Sequence, residues 1–321
     1  MAPLARDRAS RPQDFRVLKE IGDHYLDFTP AGDDLVVSFD AEESQQDPNS
    51  LPWLYRPFRD QGLAVLGVKT KRADWYRGEA IRAFFQSADF QFLTGAYDRV
   101  IFTGSSMGGF AALTFCTPGS LVLAHHPQTG LDPERTPWDT RFAGSQLLDW
   151  SGSFAQAEEG ASRAARVFVT YDPFHETDRR HADRLDSGNL VRLKAPFLGH
   201  PLPGFLRRMG LLAELVPPAL SGELTAAWWR TAIRKRRDLP RYHLIMAEHL
   251  QAPDMAARLM ARAWHLSGDD TRGQDRIRRL AAHRKLGELF DRYLREEEVS
   301  LVKGPPGPDA ELFRSFMATR S

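Results

Sequence analysis

The chain has 321 residues, 42% of them hydrophobic and 26% charged, a composition that suits a folded globular protein of one large domain with an appendage, or of two domains. Lys and Arg total 43 against 42 Asp and Glu, and the formal charge of +1 gives no global attraction for nucleic acid or an anionic membrane. A single cysteine, Cys116, excludes an internal disulfide. No apolar run approaches a membrane span and the N-terminus lacks the apolar core of a secretory signal, so a cytoplasmic location is expected.

Residues 1–13 read as a disordered tail. Residues 15–18 and 25–28 are short strand-like pieces separated by Gly22 and Asp23, and residues 35–39, after a turn cluster, read as a buried strand. A loop with Pro48, Pro52, Trp53, Tyr55 and Pro57 leads to another apolar strand at 63–68. Helical spacing runs from Trp75 to Phe92 with a break near Ser87. Residues 98–113 combine an apolar strand, a turn of small residues and a helix carrying Phe110, Leu113 and Phe115, with Cys116 expected as a small buried residue rather than a reactive one. A further strand follows at 120–124.

Residues 125–165 lack a clear period, and their aromatics Trp138, Phe142 and Trp150 predict a packed, lid-like insert. Residues 166–171 are a strand ending at Asp172 and Pro173; a helix from Thr177 or Asp178 to Leu185 and a last strand at 190–194 follow. Strands alternating with helices predict right-handed crossovers and an α/β fold, a doubly wound, mainly parallel sheet over residues 14–220. The character then changes to an all-helical region over 221–300, broken near Pro240, Pro253 and Gly268. Within it, residues 242–266 place Ala247, Ala256, Ala257, Ala261 and Ala263 among Leu and Met, the pattern of a helical hairpin. Such hairpins either build tetratricopeptide-like repeats or simply form a bundle. Residues 301–321 read as a Gly/Pro linker and a short terminal helix. The basic run Arg230, Arg234, Lys235, Arg236 and Arg237, beside Trp228 and Trp229, is either a solvated helix face or a dock for an acidic partner or a sugar-phosphate chain.

The chemistry centres on Gly104-Ser105-Ser106-Met107-Gly108, a G-x-S-x-G match between a strand and a helix. A strand reversing directly into a helix strains the central serine and crowds the positions two residues either side, where glycine relieves the clash. Ser106 would then stand at the positive end of the following helix. No Walker lysine and no G-x-G-x-x-G pattern accompany it, and no cofactor is expected.

A serine hydroxyl needs a base and the base an orienting carboxylate. Ser106, Asp172 and His200 each follow a strand, in the order Ser, Asp, His. On Gly104–Gly108, Tyr171-Asp172-Pro173 and Gly199-His200, residues 15–215 resemble the α/β-hydrolase superfamily. The resemblance implies Ser106 as nucleophile, His200 as base and Asp172 as acid, with Asp178 the competing acid unless it only caps the helix that begins there. It also implies an oxyanion hole made by the Met107 N–H and an N–H from Asp40 or Ala41, where an Asp40 carboxylate facing the oxyanion would oppose it. His125 and His126 fall at the same rim; His125 is a candidate for lining the substrate, as is Trp138 from the insert. Two adjacent histidines on a strand do not face one metal, and no zinc-spaced cluster accompanies them, so no metal is expected.

The expected activity is hydrolysis of an ester through an acyl-enzyme, on a small-molecule or glycan-linked substrate, the glycan setting being implied by the resemblance. The same residues serve an acyltransferase. A hydrolase-fold scaffold whose C-terminal helices bind a protein partner is the rival reading.

Overall fold

Eight apolar segments become strands: β1 (Val17–Ile21), β2 (His24–Thr29), β3 (Asp34–Phe39), β4 (Ala64–Thr70), β5 (Arg99–Ser105), β6 (Leu121–His125), β7 (Arg166–Tyr171) and β8 (Leu190–Lys194). The computed structural model describes residues 17–41 and 48–301, so the predicted tail at 1–13 and the linker and terminal helix beyond residue 301 lie outside the described residues. The strands form one sheet in the order β1-β2-β4-β3-β5-β6-β7-β8. β2 runs antiparallel to both its neighbours, and every pair from β4 onward is parallel. This order, with β2 reversed within an otherwise parallel, doubly wound sheet, is the α/β-hydrolase fold.

The strands at the centre are buried on both faces; all seven residues of β4 are buried. That is why they read as continuous apolar runs rather than as alternation. Helices α1 (Tyr55–Asp60), α2 (Glu79–Gln86), α3 (Ala88–Gly95), α4 (Met107–Phe115), α5 (Ala157–Ala161), α6 (Glu176–Arg184), α7 (Leu202–Arg208), α8 (Val216–Ser221) and α9 (Ala226–Ala232) complete this unit. The break expected near Ser87 is real, and the Ser87 hydroxyl caps α3 by accepting the Phe90 N–H. The helix does not begin at Trp75, however. Trp75 and Tyr76 adopt positive φ values of 53° and 56° in a fully buried loop, and α2 starts only at Glu79. Their aromatic bulk mimicked helical spacing because both rings are core residues.

The insert at 125–165 packs onto the sheet unit. Phe142 and Trp150 lie 5.2 and 6.3 Å from the Trp75 ring, and Trp150 also meets Phe110 of α4 at 5.6 Å. The Arg77 guanidinium donates to the Asp149, Ser151 and Phe154 carbonyls, fixing the second half of the insert. Cys116, just past α4, is buried; desolvation pushes its thiol up to about 12, so it is an inert packing residue.

The chain divides into two compact units at Arg236/Arg237. This lies beyond the boundary expected at 220/221, because α9 belongs to the sheet: the indole of Trp229, 1% exposed, donates to the Lys194 carbonyl at the end of β8 at 2.7 Å. The second unit contains α10 (Pro240–His249), α11 (Pro253–Leu266), α12 (Thr271–His283) and α13 (Gly287–Leu301). Ala247 of α10 and Ala256, Ala257, Ala261 and Ala263 of α11 are buried, and their lack of side-chain bulk lets the two helices approach closely. Among the described residues no helix is long and apolar enough to cross a membrane.

Candidate active site

Ser106 sits between β5 and α4 with φ 54° and ψ −118°, a conformation costly for a residue with a Cβ. The turn holds because its flanks have no side chains. A Cβ on Gly104 would lie 2.2 Å from the Gly108 carbonyl oxygen, and one on Gly108 would lie 2.6 Å from the Phe39 oxygen. The Ser106 N–H donates to the His125 carbonyl and its own carbonyl accepts the Phe110 N–H, fixing both ends. Met107 is the first residue of α4, so its N–H lacks an intrahelical acceptor and points toward the side where Ser106 stands.

His200 lies in the turn after β8, and its Nδ1 is 2.9 and 3.0 Å from the two carboxylate oxygens of Asp178. Asp172, expected to meet His200, does not. Its carboxylate accepts the Gly199 N–H at 2.6 Å and the Phe174 N–H at 2.9 Å, so it anchors the turn that presents His200 rather than the imidazole itself. Burial raises the Asp172 carboxyl above its ordinary value, against the lowering effect of those backbone donors. Nor is Asp178 the helix cap: His175 is the N-cap of α6, its ring accepting the Asp178 N–H. Burial by itself would raise the Asp178 carboxyl, but the close imidazoles of His175 and His200, the latter donating through Nδ1, overcome it and hold the group well below the usual carboxylate range. It is therefore an anion at neutral pH.

Arg141, from the insert, stands behind this pair. Its Nη1 is 3.0 Å from Asp178 and 3.3 Å from His200 Nδ1, while its other nitrogens grip both oxygens of Asp139. His200 Nδ1 cannot both accept from Arg141 and donate to Asp178; the shorter contacts to a carboxylate assign it the proton, leaving Nε2 as the basic nitrogen. Asp139 also meets His181 Nε2 at 2.9 Å, and His181 Nδ1 accepts the Thr129 N–H, so His181 is held in one tautomer. His181 is fully buried.

His126 and Gln128 complete the cluster. His126, with φ 36°, bonds to Ser105 Oγ through Nε2 at 2.9 Å, and its ring meets the His200 ring edge-on at 4.3 Å. Ser106 Oγ donates to Gln128 Oε1 at 3.1 Å. Among the described residues no hydrogen bond joins Ser106 to His200. One atom each of His126, Asp178 and His200 lie within 4.8 Å of one another, which is the spacing of a metal cluster. The Arg141 guanidinium puts a permanent positive charge on two of those three groups, and a cation there would be opposed.

Of the expected oxyanion donors, Asp40 is excluded, since its N–H donates to the Val68 carbonyl at 3.2 Å. The N–H groups of Met107 and Ala41 have no such partner among the described residues. The Asp40 carboxyl instead accepts the Trp53 and Thr70 N–H groups, and burial pushes it up to about 7 against the nearby Lys69 cation. A raised folded-state value means that the folded protein binds more protons than the unfolded chain between about pH 4 and 7. Stability from this group is thus present at low pH and lost as pH rises through 7. Asp40→Asn is expected to match wild type below pH 4 and to exceed it at pH 8 by on the order of 1–4 kcal/mol in denaturant titrations.

His125 and Trp138, the expected substrate-lining residues, are engaged elsewhere. His125 is fully buried at the end of β6, bonded to Thr170 Oγ1 at 2.8 Å, and desolvation takes its imidazole down to about 3. The Trp138 ring lies over α6, 4.5 Å from His181 and 4.3 Å from the Arg180 guanidinium. A cavity of about 1310 Å³ is lined by Asp98, Arg99, Ser120 and Arg166, at the amino ends of β5, β6 and β7. It is at the opposite end of the sheet from Ser106 and includes none of the residues clustered there.

No family model matches the chain, and no curated protein matches it. Among solved structures it is similar to the capsule O-acetyltransferase of Neisseria meningitidis serogroup A, at 12% identity over 61% of this chain and 93% of that one, with a TM-score of 0.44. An esterase/lipase from an uncultured bacterium is 10% identical over 70% of this chain and 87% of that one, with a TM-score of 0.46. Carboxyl esterase 2 of Tuber melanosporum is 14% identical over 72% and 89%, with a TM-score of 0.39. The fold stands on the strand order itself.

Proposed function

We propose that the sheet unit is a serine-dependent acyl hydrolase or acyltransferase acting on esters, with Ser106 as nucleophile, His200 as base and Asp178 as the carboxylate that orients it. The reading rests on one observation above all: the strained, glycine-flanked elbow at Ser106 stands at the same end of the sheet as an imidazole whose Nδ1 is held by a buried anion. In the first step the Ser106 Oγ–H proton passes to His200 Nε2 as Oγ attacks the acyl carbonyl. The Met107 N–H stabilises the developing oxyanion. Collapse of the tetrahedral adduct breaks the ester C–O bond, and the alcohol leaves with the proton from His200. Water, or an acceptor hydroxyl, then gives its proton to His200 and takes the acyl group from Ser106, which regains its hydrogen.

The reaction needs the Ser106 hydroxyl to leave Gln128 and meet His200 Nε2. Ser106 is 2% exposed and its hydroxyl lies against the buried Gln128 amide, which favours a small acyl group over a long chain. A fluorophosphonate probe tests the reading: wild type is expected to form an adduct that Ser106→Ala abolishes. The Ser106–Gln128 bond favours one rival, a hydrolase-fold scaffold without turnover, and folded wild-type protein that forms no adduct would establish it.

A further inference from the structure

We propose that the side-chain amide of Gln128 is a catalytic oxyanion donor at Ser106, an assignment that rests on the serine-nucleophile reading above. Gln128 is fully buried, and one end of its amide is spent on the Ser106 hydroxyl at 3.1 Å. Its Nε2, which carries two N–H donors, has no acceptor among the described residues. Leaving a buried amide unpaired is costly, so a fold that keeps one beside the strained Ser106 holds a donor in reserve. It would add a side-chain donor to the backbone N–H groups of Met107 and Ala41, the Asp40 N–H being already given to Val68.

A tetrahedral adduct on Ser106 creates an oxyanion one carbon away from Oγ. The two ends of the Gln128 amide are themselves separated by one carbon. As the hydroxyl proton goes to His200, Oε1 loses its donor, and a small rotation of the amide brings an Nε2–H to the new negative charge. The group is thus satisfied at one end in the resting enzyme and at the other in the transition state. This makes it an interaction that strengthens only as the reaction proceeds.

Two near-isosteric variants, Gln128→Met and Gln128→Glu, separate a donor from a structural acceptor. Met removes both functions; Glu keeps an oxygen for the Ser106 hydroxyl but has no N–H. If the amide is the donor, both variants lose about 100- to 1000-fold in the rate of Ser106 modification by a fluorophosphonate, and in kcat for an activated acetate ester with KM little changed. Gln128→Met is also expected to unfold at a temperature equal to or above that of wild type, because it removes an unsatisfied buried group. A folded Gln128→Glu protein labelled within threefold of the wild-type rate overturns the assignment. Wild-type protein that is not labelled at Ser106 overturns the nucleophile reading itself, and this inference with it.

Discussion

Asp178→Asn is expected to lower kcat for an activated ester by about 10,000-fold, with the fold intact. Asn keeps the volume but has no net charge. It can hold His200 in the wrong tautomer and no longer stabilises the imidazolium that forms when Ser106 gives up its proton. Arg141 retains both oxygens of Asp139, so no cation is orphaned by the change. Asp172→Asn should behave differently. The backbone N–H groups of Phe174, Gly199, Phe197 and Leu198 act on that carboxylate, and at least one of them would face an NH2 group instead of an oxygen. Such a mismatch costs about 1–3 kcal/mol of stability and displaces the His200 turn, giving a smaller rate loss that tracks a lower melting temperature. Measuring kcat and thermal midpoints of both variants separates the two roles. If Asp172→Asn destroys turnover at an unchanged midpoint while Asp178→Asn is active, the assignment of the carboxylate is reversed.

Gly104→Ala is expected to remove the elbow and with it most of the folded protein. The added Cβ would stand 2.2 Å from the Gly108 carbonyl oxygen and 2.3 Å from its carbon. Both are backbone atoms at the start of α4, a helix whose nine residues are all buried, so neither side has room to yield. Overpacking of this kind against fixed backbone belongs with the largest single-residue losses, about 3–5 kcal/mol. Gly95→Ala provides the control, because nothing lies within 4 Å of its Cβ position at the end of α3. There alanine should be neutral or stabilise by up to about 1 kcal/mol. Equal yields and unfolding midpoints for the two variants would show that the β5–α4 turn tolerates a side chain at Gly104 and that its glycine is incidental.

Much of the architecture was legible in the chain because it depends on local signals. The strands at 166–171 and 190–194 coincide with β7 and β8: β7, with five of its six residues buried, reads as a nearly continuous apolar run, and the edge strand β8 reads by the alternation of Val191 and Leu193 with Arg192 and Lys194. The elbow was readable because Gly104 and Gly108 answer a clash within five residues, and the alanines of α10 and α11 because close helix approach requires small side chains at helical spacing. The partners of His200 depend instead on contacts between distant segments. Asp172 and Asp178 both fall just after β7; which of them meets an imidazole more than twenty residues on is decided by how α6 and the turn after β8 close over one another. Arg141, Asp139 and Gln128 come from an insert without periodicity, so no pattern marked them out. The Asp40 N–H looked available from the sequence and is consumed by Val68 of β4. Spacing and turn chemistry thus determined the sheet and the strained serine, while hydrogen bonds across the tertiary fold decided which carboxylate, which amide and which backbone donors surround it.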